Sequence, residues 1–356
     1  MSIQGEHTTN KMMEIKNPKL SICIATFNRA NYIGETLESI LDQMPSEVEL
    51  VVVDGASSDN TPEVIAKYVL RFPQIRYIRE ATNSGIDADY DKAVGYAAGQ
   101  YCWLMTDDDL LKPGAIKHVL AELDGLRDLV VVNAETRNAD LTDVLVPRQL
   151  VVDSDRSYTK DDPEKIFSEC MNYLSFIGGV VIRRNLWLER DRKAFYGSLF
   201  IHVGVIFQDP CIENVYVISD PQIIIRYGNA MWTSRGFEIW SFKWQELVWS
   251  FAGYSDEAKR RVCHPAPWKR IKTLFYYRAT GAYSKVEFKK FIYPKTNGMK
   301  RFMSYVIAIF PAAVANVISV FYFMLFNRTE RMMQYDLLRS SHGSNLCRWL
   351  AKTLWK

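Results

Sequence analysis

The sequence predicts an α/β protein: a mostly parallel sheet flanked by helices, followed by a C-terminal helical region. Three observations predict it. Short apolar, β-branched runs alternate with segments whose apolar residues recur at helical spacing. Most of these runs close on a turn signal or a polar cluster. Near the C-terminus a 25-residue uncharged stretch, Phe302 to Phe326, lies between basic segments. Strands alternating with helices in this way build parallel sheets covered on both faces.

The first strand is Leu20 to Ala25, closed by the turn signal Asn28-Arg29-Ala30-Asn31. A helix opens at Asn31 with Ile33, Leu37, Ile40 and Leu41 on one face. Val48 to Val53 is the second strand, ended by Asp54-Gly55 and a run of small polar residues. Thr61-Pro62 starts the next helix, with proline in its first turn. Ile75 to Arg79 is a third strand, Asn83 to Ala98 a loop and helix, and Gln100 to Met105 a fourth strand. A helix begins near Pro113, and Val215 to Ile225 is a later strand. Trp240, Trp244, Leu247, Val248 and Phe251 recur at helical spacing and read as core.

The 356 residues fit two units of ordinary size, and 48% hydrophobic with 24% charged residues excludes wholesale disorder. The net charge of +3 conceals an asymmetry. Residues 257–301 carry 13 Lys/Arg against 2 acidic residues, and 327–356 carry 6 against 2, which leaves −12 for residues 1–256. An acidic body is thus followed by a basic region around an apolar stretch, a pattern suited to an anionic surface. No nucleic-acid recognition motif accompanies the basic residues. The six cysteines are scattered, with no C-x-x-C pair to signal zinc. The polar N-terminal segment, residues 1–18, has no apolar signal-peptide core, so a reduced, cytosolic catalytic body is expected.

Ligands of parallel sheets bind at the carboxyl ends of the strands. There Thr26, Asn28 and Arg29, then Asp54, then Asp107, Asp108 and Asp109 converge on one edge. No G-x-G-x-x-G follows a strand and no G-x-x-x-x-G-K-[ST] is present, which argues against dinucleotide and P-loop sites. Three adjacent carboxylates repel unless a cation or a helix N-terminus neutralises them. Hard divalent ions take such oxygen ligands; a helix cap near Pro113 is the alternative.

Taken together, SICIATFNR, VVVDGASSDNT, the stretch from Asn83 to Gly99, and YCWLMTDDD resemble the successive blocks of family 2 glycosyltransferases, over roughly residues 19–125. The resemblance implies a GT-A fold and a nucleotide-diphosphate sugar donor. It places Thr26, Phe27, Arg29, Asp54, Asn83, Asp87 and Asp107 at the nucleotide. Asp108 and Asp109 fall at Mn²⁺ or Mg²⁺. Three residues depart from the family pattern: Ala25 replaces a proline, Gly55 a second aspartate, and Thr106 the first position of the D-x-D-D block. Family 2 enzymes are inverting and use one base. The acceptor-side block resembles Phe176 to Arg184, and His202 downstream is the candidate base, with Asp191 and Asp209 as substitutes. Arg226 and Arg235 are candidate phosphate clamps and Trp232 a candidate acceptor contact.

Four regions follow from this reading. Residues 1–18 are a polar segment, 19–125 the nucleotide-sugar half, 126–256 the acceptor half, and 257–356 a membrane-associating helical region. Phe302 to Phe326 is long enough to span a bilayer, but Pro311 interrupts it and both flanks are basic. A broken or in-plane segment is the alternative. Leu346, Trp349, Leu350, Leu354 and Trp355 among basic residues resemble an interfacial helix. The expected enzyme works at the cytoplasmic face of the inner membrane on a polyprenyl-diphosphate-linked oligosaccharide, in surface polysaccharide assembly. The alternatives are a protein or simple lipid acceptor, or a non-catalytic sugar-nucleotide-binding protein.

Overall fold

The computed structural model describes residues 17–229, 233–345 and 347–349. Ten strands form one sheet: β1 (Leu20–Thr26), β2 (Val48–Asp54), β3 (Ile75–Arg79), β4 (Tyr101–Met105), β5 (Leu110–Leu111), β6 (Leu129–Arg137), β7 (Val144–Val146), β8 (Arg156–Thr159), β9 (Val180–Arg183) and β10 (Asn214–Arg226). The order along the sheet is β3-β2-β1-β4-β9-β6-β10-β5, with β7 pairing β6 and β8 pairing β10. The β3-β2-β1-β4 half is parallel throughout, as the alternating pattern predicts. Beyond it the sheet is mixed, because β9 runs antiparallel between β4 and β6. The expectation of a mostly parallel sheet therefore describes the first half and corrects to mixed for the whole. A single sheet joins the 19–125 and 126–256 halves.

Every residue of β1 and of β4 is buried, which is why these strands read as unbroken apolar runs rather than alternating ones. Register sets the site. Thr26 pairs with Asp54 and Ile24 with Met105, so the carboxyl ends of β1, β2 and β4 finish at one edge. The helices α1 (Ile33–Leu41), α2 (Thr61–Val69), α3 (Ile86–Tyr96) and α4 (Ala115–Leu123) follow the strands. The predicted face of α1 is the one it buries: Ile33, Leu37, Ile40 and Leu41. Then come α5 (Pro163–Cys170), α6 (Arg184–Glu189) and α7 (Ile201–Phe207). A composite helix follows, in which α8 (Gly236–Glu238) passes through a π-helical turn (Ile239–Lys243) into α9 (Trp244–Ser250). Trp244, Leu247, Val248 and Phe251 pack into the main core as expected.

The C-terminal helices are α10 (Asp256–Val262), α11 (Ile271–Thr280), α12 (Lys285–Glu287), α13 (Gly298–Ile309), α14 (Ala312–Phe326) and α15 (Arg331–Arg339). They build two small cores of their own. One gathers Phe237, Phe242, Trp268, Leu274 and Tyr283; the other gathers Ala279, Ala315, Val320, Phe323 and Leu337. The uncharged stretch is not one rod: α13 and α14 meet at an angle of 97° around Pro311. Among the described residues no single helix is long and apolar enough to cross a membrane, although the bent pair together has the length and composition. Of the suggested interfacial helix, Leu346, Leu350, Leu354 and Trp355 lie outside the described residues, as does most of the 1–18 segment.

Candidate active site

A cavity of about 370 Å³ opens at the carboxyl edge of the sheet. It is lined by the end of β1 (Thr26, Phe27, Arg29), the start of α3 (Asn83, Ile86, Asp87, Tyr90) and the end of β4 (Thr106, Asp107, Asp108). The far wall is Phe176, Ile177, Phe200, His202, Arg235 and Trp240. The local backbone explains the first wall. Asn28 takes a left-handed φ of 55°, its side-chain oxygen accepts the Ser58 N–H at 2.8 Å, and the Arg29 N–H donates to Thr61 Oγ1 at 2.8 Å. Asparagine tolerates that conformation and bonds locally, so the turn aims Arg29 back across the strand ends.

Arg29 lies between two aspartates. Its Nε donates to Asp107 Oδ1 at 3.1 Å, a terminal nitrogen pairs with Asp108 Oδ2, and the other terminal nitrogen donates to the Asn229 carbonyl at 3.2 Å. Asn229 Nδ2 also donates to Asp108 Oδ2, at 2.8 Å. Burial, then the neighbouring Asp108 charge, pushes Asp107 up to about 6 even with Arg29 beside it. Burial raises Asp108 as well. Two acids at this edge thus hold more negative charge than one guanidinium comfortably offsets.

Asp109 is a different kind of residue. It is 3% exposed, accepts the Thr106 hydroxyl and the Arg226 N–H (2.7 Å), and does not line the cavity. These contacts tie β4 to the end of β10. Thr106, which departs from the family pattern, is the residue that satisfies Asp109. No cluster of three or more metal-ligating side chains occurs among the described residues. Asp107 and Asp108 supply two hard oxygen donors facing the cavity. That donor set fits Mg²⁺ or Mn²⁺ sharing its remaining positions with a diphosphate.

Several other expectations change. Asp54 is fully buried, with Oδ1 accepting the Ser57 N–H (2.8 Å) and Oδ2 the Tyr77 hydroxyl (2.7 Å), so it braces the loop after β2 and does not reach the cavity. Gly55 is explained by Asp89: a Cβ at position 55 would stand 2.6 Å from an Asp89 carboxylate oxygen. Asp89 thus occupies the space that a larger residue at 55 would need. Asp87 lines the cavity, but its carboxylate accepts the N–H groups of Gly197 (2.8 Å), Leu199 (2.9 Å) and Ile201 (3.1 Å). It clamps the loop that leads into α7 and so positions His202.

Arg226 is 8% exposed and away from the cavity. Its guanidinium is engaged by Glu35 and by the carbonyls of Asp108 (3.1 Å) and Ala139 (3.0 Å), so it braces the end of β10 against α1 and the end of β4. Arg235 does line the cavity, in an exposed pair with Glu238 at 3.1 Å. Trp232 lies outside the described residues. Asp191 accepts the Ala194 N–H and Asp209 packs beside Gly253; neither lines the cavity, so neither is placed to act as base.

His202 is 2% exposed at the cavity wall. Its Nε2 is 2.8 Å from the Leu174 carbonyl, and a carbonyl only accepts, so Nε2 carries the proton. Nδ1 is then an unprotonated, buried acceptor with no hydrogen-bond partner among the described residues. Burial holds the imidazole neutral, down at about 3, against the small upward pull of the Leu174 carbonyl. Trp240, read from its helical stripe as core with a sugar platform as the alternative, does both: it packs against the main core and lines the cavity. Its indole is half-buried, sits 5.8 Å from the Phe200 ring and forms part of the far wall. A helical stripe gives no signal that one of its members stops at a cavity.

The sheet, with helices on its faces and a carboxylate pair at its carboxyl edge, makes a GT-A-type fold. Residues 21–191 match the family described as glycosyl transferase family 2. Abequosyltransferase RfbV of Salmonella typhimurium is 29% identical over 233 residues, covering 61% of this chain and 69% of that protein. Chondroitin synthase of Pasteurella multocida is 35% identical over 123 residues, which are 35% of this chain and only 13% of the synthase. Residues 1–349 of S. aureus TarS, solved with UDP-GlcNAc, superpose with a TM-score of 0.52 at 19% identity, over 89% of each chain. That likeness carries the fold.

Proposed function

We propose that the protein is an inverting, metal-dependent transferase. It moves a sugar from a nucleotide-diphosphate donor to a polyprenyl-diphosphate-linked oligosaccharide, in bacterial surface polysaccharide assembly at the cytoplasmic face of the inner membrane. The observation that carries the reading is the Asp107–Asp108 pair lining the same cavity as His202. The similarity to an abequosyltransferase supports a deoxyhexose-type or hexose-type donor; the lipid-linked acceptor rests on the basic residues around the uncharged stretch Phe302 to Phe326. Asp107 and Asp108 would hold Mn²⁺ or Mg²⁺, whose chemistry is to neutralise the charge developing on the leaving diphosphate.

The chain's own residues do the rest. Arg29 already sits on both aspartates, so it is placed to shift its contacts to donor phosphate, for which a guanidinium is well suited. Arg235, at the rim, adds a second cation. Phe27, Ile86, Ile177 and Phe200 exclude water around the reacting carbon. The Leu174 carbonyl fixes the His202 tautomer with Nδ1 unprotonated; Nδ1 is buried at the cavity wall, so the side chains over it must move aside for it to take the proton of the acceptor hydroxyl. An anionic donor beside the ring raises its proton affinity from the low value that burial imposes. Asp87 keeps the ring in place by clamping the loop before α7.

Turnover of His202→Ala tests the base. The expected result is a loss of ~10²-fold or more in kcat with donor affinity nearly unchanged. Unchanged kcat would assign the proton to another acceptor.

A further inference from the structure

Among the described residues, the C-terminal helices leave an apolar face without a partner. Of the 21 large apolar side chains exposed among the described residues, 11 lie between Met299 and Phe326. On α13 the exposed positions include Phe302, Tyr305 and Ile309, while Ser304, Ile307 and Ala308 turn inward. On α14 they include Val314, Ile318 and Phe321, while Ala315, Asn316, Ser319 and Val320 turn inward. Both sets follow helical spacing, so each helix has one buried and one solvent-facing apolar side. On either side of the bend at Pro311, Ile309 and Val314 are 43% and 47% exposed. A soluble monomer rarely leaves so concentrated an apolar surface uncovered.

The charges around this face select its partner. No acidic residue occurs between Met299 and Arg328. Lys300 stands in the first turn of α13, and Arg328 just beyond α14 donates to the Met324 carbonyl at 2.9 Å. Lys272, on α11, places its ammonium 5.7 Å from the centre of the Tyr322 ring, at the margin of the α14 strip. A second copy of the chain would bring the same cations against these ones. An anionic bilayer would bring opposite charge to the rim and hydrocarbon to the strip.

We propose that the solvent-facing sides of α13 and α14 form an in-plane docking surface for an anionic lipid bilayer, entered from one leaflet and not spanned. The face is fixed relative to the rest of the enzyme. Asn316 Nδ2 of α14 donates to the carbonyls of Ala279 (3.1 Å) and Leu337 (2.8 Å). Asp336 of α15 accepts the hydroxyls of Tyr276 on α11 (2.9 Å) and of Tyr227 (2.8 Å), one residue beyond β10. Docking there holds the cavity at a set height above the leaflet. The proposal does not depend on the transferase reading, because its test reads no catalysis.

The test is flotation of the full chain with vesicles of phosphatidylcholine alone or mixed with phosphatidylglycerol. Three variants are compared, their folding checked by circular dichroism and thermal melting: wild type, Ile318→Glu with Phe321→Glu, and Lys272→Glu with Arg328→Glu. Wild type is expected to float with the anionic vesicles and only weakly with neutral ones. The apolar-face variant should stay at the bottom. The charge variant, which keeps the proposal testable if the first variant misfolds, should lose about tenfold or more in anionic partitioning. Alkaline carbonate should strip the wild type from the vesicles. Failure of wild type to float, or variants that float like it, would overturn the proposal. So would a dimer in sedimentation that the apolar-face variant disperses without any flotation, since the occupant would then be a second copy. Resistance to carbonate would overturn the in-plane mode.

Discussion

Arg29 Nε lies 3.1 Å from Asp107 Oδ1 while another nitrogen of the same guanidinium pairs with Asp108 Oδ2, so one cation from the end of β1 closes the acidic end of β4. Both aspartates and the arginine are largely buried. Removing one partner of a buried pair leaves uncompensated charge, at a cost on the order of 3–5 kcal/mol. Arg29→Met is therefore expected to lower the melting temperature clearly. Addition of Mn²⁺ should raise it more in the variant than in wild type, since a ligand that binds only the native state stabilises it. Differential scanning calorimetry with and without Mn²⁺ checks both.

The contact between position 55 and Asp89 gives a second expectation. Gly55→Asp puts a Cβ within 2.6 Å of the Asp89 carboxylate and a like charge beside it. The single variant should lose about 2 kcal/mol or more. Adding Asp89→Gly should restore much of that loss, giving a coupling energy of about 1 kcal/mol or more in a double-mutant cycle. Urea unfolding of the four proteins measures it.

The buried imidazole makes stability depend on pH. His202 is held at about 3 in the folded chain against 6.5 when free. Between those values the unfolded chain binds the extra proton, so stability falls as pH drops through the window, by ~1.4 kcal/mol per unit from this group. Asp107 and Asp109, raised by burial, work in the opposite sense in both proteins and cancel in the difference. His202→Asn should therefore lose stability less steeply than wild type as pH falls from 6.5 toward about 4. Parallel denaturant titrations across that range give the comparison.

The parallel half of the sheet was legible because its strands are buried on both faces and its helices carry a clear apolar side. Predicted and observed edges of β1, β2, β3 and β4 differ by no more than a residue. The reversal at β9 was not legible, because strand direction is set by how the chain crosses over, and Val180–Arg183 reads the same in either direction. At the site, the aspartate run announced acidity but not its division of labour. Asp109 is separated from Asp107 and Asp108 by contacts with Thr106 and with Arg226, 117 residues away. Asp54 and Arg226 looked functional for the same reason that makes them structural: each is a polar group at a strand end with every partner supplied by the fold. His202 was readable as a candidate, but its free Nδ1 appears only once Leu174 is brought against Nε2.

On the proposed function, the Asp107–Asp108 edge serves metal-dependent glycosyl transfer. The most direct measurement is turnover of nucleotide-diphosphate sugars by detergent-solubilised wild type and Asp108→Asn, each with Mn²⁺ and after chelation. The account predicts Mn²⁺-dependent turnover for wild type and a loss of ~10²-fold or more in the variant. Full Mn²⁺-dependent turnover by Asp108→Asn would contradict it.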